Sequence, residues 1–242
     1  MFPPIPQFEN PTSPLTTSQA QGLFQALQLP LPTTPSTASP PPEILIYGGS
    51  TATGLLGIQF AKLAGYRVAT TCSPSNFAYV KSLGADGAFD YRSPSVVDDI
   101  KAWSANADAL TLAWDCIGEG KSPEISAAAL STTQPGHYRA LLRVDDAVVK
   151  GANDKVDNGS TLAYTMLGEP IDKTWAKLPA VPANYEYGKM FWEVTRGLLA
   201  EGKVQPAKQD VNRGGKGLEG VLAGLKELKE GKVSGVKLVY TL

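Results

Sequence analysis

The sequence predicts a doubly wound α/β fold, and three features carry that prediction. From Glu43 onward, short β-rich runs alternate with helical stretches, the pattern of parallel strands joined by crossover helices. The first of these runs ends in a glycine-bearing turn, Gly48 to Gly54, that opens directly into a helix. At 242 residues, 43% hydrophobic and 19% charged, the chain can bury the core that such a sheet requires.

The elements follow in order. Residues 1–42 hold 11 of the 19 prolines, so this segment is expected to be largely extended. Its exception is a short helix over Ser18 to Leu27, with Leu23, Phe24 and Leu27 on one face, docking on the body that follows. Residues 43–242 form the main domain. Ile44 to Tyr47 reads as a buried first strand, and Leu55, Ile58, Gln59 and Lys62 lie on the helix after the turn, which Gly65 ends. Arg67 to Thr71 is the second strand, Asn76 to Leu83 a helix, and Gly87 to Tyr91 the third strand. A helix over Ser95 to Trp103, a strand over Leu110 to Asp115, a helix over Pro123 to Leu130 and a strand over His137 to Arg143 continue the alternation, with right-handed crossovers. Past Lys150 the rhythm loosens into a candidate strand at Thr161 to Leu167, helices at Tyr185 to Glu201 and Leu218 to Lys229, and a β-rich tail from Gly235 to Tyr240.

Composition excludes several functions. With 22 basic and 23 acidic residues the net charge is -1, so no overall field attracts nucleic acid or an anionic membrane. No apolar run approaches the roughly 20 residues that span a bilayer. Cys72 and Cys116 and the absence of a secretory pattern fit a reducing, cytoplasmic setting. The sole histidine, His137, has no Cys or second His at ligand spacing, so no metal site is expected. No G-x-S-x-G elbow exposes a serine nucleophile, and His137 reads as a residue at the start of a strand.

The chemistry rests in Tyr47-Gly48-Gly49-Ser50-Thr51-Ala52-Thr53-Gly54. A strand ending in glycines and opening a helix brings backbone N–H groups and the helix N-terminus toward a diphosphate, and Ser50, Thr51 and Thr53 add hydroxyls. Its spacing is not the strict G-x-G-x-x-G, and a plain tight turn is the alternative. Enzymes that prefer NAD place a carboxylate after the second strand, where this chain has Cys72-Ser73-Pro74-Ser75-Asn76. Without that carboxylate nothing repels a 2′-phosphate, and Ser73, Ser75 and Asn76 can donate to it. The pattern therefore favours NADPH in a Rossmann-type domain, although Ser73-Pro74-Ser75 also reads as a helix cap.

These residues resemble a known family. The turn from Gly48 to Gly54, Cys72 to Phe77, Ser82-Leu83-Gly84-Ala85-Asp86 and Phe89-Asp90-Tyr91-Arg92 resemble the cofactor domain of the fungal trans-acting enoyl reductases, zinc-free members of the medium-chain dehydrogenase/reductase superfamily. The likeness continues through Phe191-Trp192, Gly202-Lys203-Val204, Leu218 to Val221 and Gly231 to Tyr240, and covers residues 18 to 242. It implies NADPH-dependent reduction of an enoyl thioester on the acyl carrier protein of a highly reducing polyketide synthase, in secondary-metabolite biosynthesis. It implies phosphate contacts from Ser50, Thr51, Ala52 and Thr53, and 2′-phosphate contacts from Ser73, Pro74, Ser75 and Asn76. Tyr91 is implied against the adenosine, with a core aromatic as the alternative, and Val233-Ser234 against the cofactor near the C-terminus. Thr165-Met166-Leu167-Gly168-Glu169 is similar to the segment that borders nicotinamide and substrate.

Family members begin with a GroES-like domain that completes the acyl channel. This chain is expected to lack most of it, which leaves the C-terminal strand, normally returned to that domain, with an open edge. The implied reaction is hydride transfer to the β-carbon of the enoyl thioester and protonation at the α-carbon. No proton donor is assigned: Tyr164, Tyr185 and Tyr187 are the tyrosines in reach of the role, and each also reads as a packing or interface residue. A cytoplasmic monomer is expected. Two rival functions are a non-catalytic NADPH-binding or synthase-docking remnant, and a quinone or alkenal reductase of the same superfamily.

Overall fold

In the computed structural model, which describes residues 14–106, 108–174 and 176–242, the chain opens with helix α1 (Pro14–Leu27) and then enters the expected alternation. In order it forms β1 (Glu43–Tyr47), α2 (Ala52–Leu63), β2 (Arg67–Thr71), a 3-10 turn at Pro74–Asn76 leading into α3 (Phe77–Ser82), and β3 (Gly87–Phe89). There follow α4 (Val96–Trp103), β4 (Leu110–Asp115), α5 (Ser122–Ala129), β5 (Gly136–Ala140), α6 (Asp146–Ala152) and β6 (Val156–Ser160). A 3-10 turn at Ala163–Leu167 leads to the hairpin β7 (Ile171–Lys173) and β8 (Ala176–Leu178), then to α7 (Pro182–Ala200), β9 (Gln209–Val211), α8 (Gly217–Lys229) and β10 (Lys237–Val239).

Six strands form one parallel sheet in the order β3-β2-β1-β4-β5-β6. The order reverses between β1 and β4, so the sheet is doubly wound with a crevice at the C-terminal ends of those two strands. The two-residue period of the central strands divides the core. Ile44, Ile46 and Val68 face α1, α2 and α7, where Phe24, Phe60 and Phe191 pack with ring centroids 5.3 to 6.1 Å apart. Leu45, Ala69, Ala113 and Tyr138 face α4, α5 and α6. Helix α2 lies close on the sheet because Gly57 sits over the fully buried Trp114, whose Cζ3 would be 2.4 Å from a Cβ at that position.

The structure corrects the sequence reading in four places. The helix expected over Ser18 to Leu27 begins earlier, at Pro14, with Ala20, Leu23 and Phe24 in the main core, and the extended reading of residues 1–13 lies outside the described residues. Helix α6 and strand β6 went unpredicted, because β6 reads Val-Asp-Asn-Gly-Ser and an edge strand paired only with β5 can be polar. The strand expected at Thr161 to Leu167 is instead the turn at Ala163–Leu167, closed by Gly168 in the left-handed region at φ 74°. The C-terminal strand does find one partner within the chain: β10 pairs in parallel with β9, in register Lys237 to Gln209, with α8 crossing between them, and its other edge is unpaired in this two-stranded sheet. The strands begun at Gly87 and His137 also end early, at Phe89 and Ala140.

Candidate functional site

At the end of β1 the chain turns through Gly48, whose φ of 81° favours glycine. The turn is tied to the neighbouring strand: Gly48 N–H donates to Thr71 Oγ1 at 3.1 Å and Gly49 N–H to the Thr71 carbonyl at 2.9 Å. Thr51 caps α2, its Oγ1 accepting Gly54 N–H at 3.0 Å and donating to the Gly48 carbonyl at 2.8 Å. Gly54 is required by the closeness of the helix to the turn, since a Cβ there would lie 2.3 Å from the Gly48 oxygen. The first turn of α2 therefore presents Ala52 and Thr53 N–H groups, which have no helical partner, beside the crevice.

A cleft of about 920 Å³ opens at this point. Gly48, Ser50 and Thr51 form one wall, Ser73 and Tyr91 a second, and Val233 and Ser234 come to it from the C-terminal segment. Seven of the residues nominated from sequence thus meet in one place. Tyr91 is not a core aromatic: it is 40% exposed, with its ring 6.4 Å from that of Tyr47.

Other nominated residues do different work. The Thr53 hydroxyl, expected to serve a phosphate, donates instead to Gln19 Oε1 at 2.8 Å and holds α2 to α1. Asn76 is buried, and its side-chain amide donates to Ser234 Oγ at 2.8 Å, so its side chain braces the wall from behind. Pro74 and Ser75 are exposed, and neither lines the cleft; nor do Gly49 and Ala52, which shape the turn.

The sequence reading missed Arg92, Ile117, Lys121 and Ile125, which also line this cleft. Cations and apolar side chains just past β3 and β4 were the available signal. Arg92 lies 5.5 Å from the Tyr91 ring and pairs with Asp90 at 3.0 Å, which holds the Asp90 carboxyl below its usual range. Asp115, fully buried at the end of β4, fixes the loop that bears Ile117: its Oδ1 accepts Ile117 N–H at 2.8 Å and Gly118 N–H at 3.0 Å, while its Oδ2 accepts Tyr138 OH at 2.8 Å. Burial, then the charge of Asp115, raises the Tyr138 and Tyr47 hydroxyls, so both stay protonated at neutral pH. Burial, and then Asp90, pushes the Cys72 thiol up to about 11.

A second cleft, of about 860 Å³, lies on the other side of β4, at the ends of β5 and β6. Gln21 and Gln25 of α1, Leu142, Thr161, Thr165 and Met166 are among its walls. The segment expected to border substrate is split: Thr165 and Met166 line this cleft, Leu167 lies in a smaller hollow with Tyr185 and Trp192, and Gly168 and Glu169 lie in neither. Tyr164, Tyr185 and Tyr187 line neither of the two larger clefts, and Tyr187 stacks on Phe191 at 6.4 Å. The loop held by Asp115 separates the clefts, with Ile117 on the first and Gly118 against Leu142 of the second. His137 is on β5, 3.5 Å from Asp157, and among the described residues no group of three or more His, Cys, Asp or Glu could hold a metal.

Comparisons with known proteins agree with this architecture. A family model described as "Zinc-binding dehydrogenase" matches residues 52–140. The chain is 44% identical over 218 residues to the dual trans-enoyl reductase/FAD-dependent monooxygenase tazHJ of Aspergillus terreus, covering 89% of this chain and 30% of that protein. It is 40% identical to the trans-enoyl reductase ACTTS2 of Alternaria alternata, covering 93% of this chain and 62% of that one. With the trans-enoyl reductase fsa3 of a Fusarium species it shares 38% identity over 247 aligned residues, covering 100% of this chain and 67% of the other. Among solved structures, the CurK enoyl reductase superposes with a TM-score of 0.65 at 18% identity, over 93% of this chain and 60% of that chain. The mycobacterial protein Rv1454c, solved in complex with NADPH, gives a TM-score of 0.68 at 17% identity, over 96% and 67%.

Proposed function

Because this chain belongs to the trans-enoyl reductase family, we propose that it binds NADPH in the cleft at the end of β1 and serves the reduction of an enoyl thioester carried by a highly reducing polyketide synthase. The observation that carries the reading is the convergence of the Gly48–Thr51 turn, Ser73, Tyr91 and Ser234 on one cleft. The fit to a phosphorylated dinucleotide rests on two features: Gly54 keeps the helix N-terminus against the turn, and the end of β2 offers a hydroxyl where a carboxylate would repel a 2′-phosphate.

In this reading Ser50 and the first N–H groups of α2 hold the diphosphate, Thr51 shapes the turn through its bonds to Gly48 and Gly54, and Ser73 with Arg92 holds the 2′-phosphate. Tyr91 and Ile125 flank the adenosine, and Val233 and Ser234 close over it. Bound NADPH supplies the hydride. The Cys116–Gly118 loop, stiffened by Asp115, sets the border at which the two clefts meet, so cofactor and thioester approach from opposite sides. Leu142, Leu162 and Met166 keep the thioester side largely apolar. The cysteines Cys72 and Cys116 are unpaired, which supports a reducing, cytoplasmic setting.

The test is turnover by the full chain with NADPH and a short enoyl thioester, followed by loss of reduced nicotinamide. Reduction of the thioester is expected. Turnover of small quinones in preference to thioesters overturns the substrate, and failure to bind NADPH overturns the reading as a whole.

A further inference from the structure

We propose that the Tyr47 hydroxyl reads the adenine edge remote from the sugar, the edge that carries N1 and the 6-amino group, and so selects the base of the dinucleotide. The identity of the occupant rests on the proposed function; the position of the hydroxyl rests on the following geometry.

Strand β1 is buried at every position and apolar from Ile44 to Ile46, as a strand covered on both faces must be. It ends on a tyrosine. A residue that only filled space there could be phenylalanine, because a buried hydroxyl without a partner costs stability. The Tyr47 hydroxyl has no hydrogen-bond partner among the described residues, and it is not one of the sealed polar atoms. Tyr47 lines the first cleft, and its hydroxyl keeps surface there.

A neighbouring carboxylate shows how the hydroxyl comes to be left over. Tyr47 stands opposite Asp115 in the β1–β4 register. Both Asp115 oxygens are engaged elsewhere: Oδ1 accepts the Ile117 and Gly118 N–H groups, at 2.8 and 3.0 Å, and Oδ2 accepts the Tyr138 hydroxyl at 2.8 Å. Of two buried tyrosines near one carboxylate, Tyr138 has the bond and Tyr47 faces the cleft. Burial, and then the charge of Asp115, keeps the Tyr47 phenol protonated, so it can donate and accept at once.

The surroundings suit a flat ring. By the two-residue period Tyr47 shares the sheet face of Leu45, toward α4 and α5, and Val97 of α4 and Ile125 of α5 line the cleft with it. The Tyr91 ring lies 6.4 Å from that of Tyr47. Tyr91 is 40% exposed and Tyr47 5%, so Tyr47 is at the inner end of this slot. Ser73 and the exposed Arg92 sit at its rim and, in the proposed reading, hold the 2′-phosphate and therefore the sugar outside. The base then enters with the edge opposite its glycosidic nitrogen leading. N1 accepts a hydrogen bond and the 6-amino group donates one, and a neutral phenol matches either.

The experiment is a cycle between one residue and one edge of the ligand. Native chain and Tyr47→Phe are titrated calorimetrically with NADP⁺ and with etheno-NADP⁺, in which a two-carbon bridge ties N1 to the 6-amino nitrogen. Tyr47→Phe is expected to weaken NADP⁺ binding by about three- to tenfold, the value of one buried hydrogen bond, and to leave etheno-NADP⁺ unchanged. Adenosine 2′,5′-bisphosphate, which carries the same base without the nicotinamide half, should show the same loss as NADP⁺. Urea denaturation of Tyr47→Phe should give a stability equal to native or above it, because the hydroxyl removed has no partner in the fold. Equal weakening of NADP⁺ and etheno-NADP⁺, an unchanged NADP⁺ affinity, a loss absent from the bisphosphate, or a destabilised Tyr47→Phe overturns the contact alone. Failure of the native chain to bind NADP⁺ overturns both the contact and the proposed function, so the two failures are told apart.

Discussion

Asn76 and Ser234, 158 positions apart in sequence, are joined by a 2.8 Å hydrogen bond from the asparagine amide to the serine hydroxyl. The bond fastens the turn after β2 to the segment before β10, so a wall of the first cleft is made of two distant pieces of chain. Gly235 packs against the same asparagine, since a Cβ there would lie 2.4 Å from Asn76 Oδ1.

Removing either partner should loosen that wall. Asn76→Ala and Ser234→Ala are each expected to weaken NADPH binding by about three- to tenfold, the value of one partly buried hydrogen bond. The double variant should lose little more than either single one, because the two act through the same bond. Fluorescence titration of the four proteins checks this, and fully additive losses would show that the residues act independently.

Ser73 lines the first cleft where an NAD enzyme has its carboxylate. The native chain should prefer NADPH to NADH by about tenfold or more, as a charge-assisted phosphate contact implies. Ser73→Asp should erase that preference by weakening NADPH binding and sparing NADH. Calorimetry with both cofactors decides the matter, and an unchanged ratio would move the 2′-phosphate elsewhere.

Gly57 holds α2 against Trp114. Gly57→Ala should force the helix and the indole apart and cost about 1 to 3 kcal/mol of stability, typical of overpacking a filled core. Urea denaturation measures it. A stability equal to or above native would mean that the gain in helix propensity exceeds the clash.

Cys72, 2% exposed with its thiol raised to about 11, should resist alkylation. At pH 8 only about one molecule in a thousand carries the thiolate, which is the reactive form. Labelling of the native protein is expected to be slow near neutral pH, to quicken as pH rises toward 11, and to be complete in denaturant. Mass spectrometry of iodoacetamide-treated protein checks it, and fast labelling of Cys72 at pH 7 would contradict the burial.

What could be read in the sequence and what could not divide along physical lines. Ile44 to Tyr47 announced β1 because a strand buried on both faces must be apolar throughout, and Gly48 to Gly54 announced the turn because its backbone tolerates few other residues. Strand β6 stayed hidden because Asp157, Asn158 and Gly159 are turn formers by local chemistry, and only pairing with β5 makes them a strand. Ser73, Tyr91 and Ser234 were legible as single residues, but the bond that turns Asn76 away from the cleft joins positions that no local pattern connects.

Helix α8 has its faces reversed from the usual order. Its buried residues are Gly220 and Gly224, which admit the Tyr240 ring, while Leu218, Leu222, Leu225 and Leu228 are 52 to 73% exposed. The β9–α8–β10 unit therefore rests on close backbone contact and few apolar side chains, and such a unit is the first to open when a domain breathes. Its amides should exchange with solvent hydrogen through local excursions, well before those of β1 or β4. Since Val233 and Ser234 belong to the loop within this unit that leads from α8 to β10, a dinucleotide that engages them should slow that exchange selectively, and this thinly packed unit would then report occupancy of the cleft.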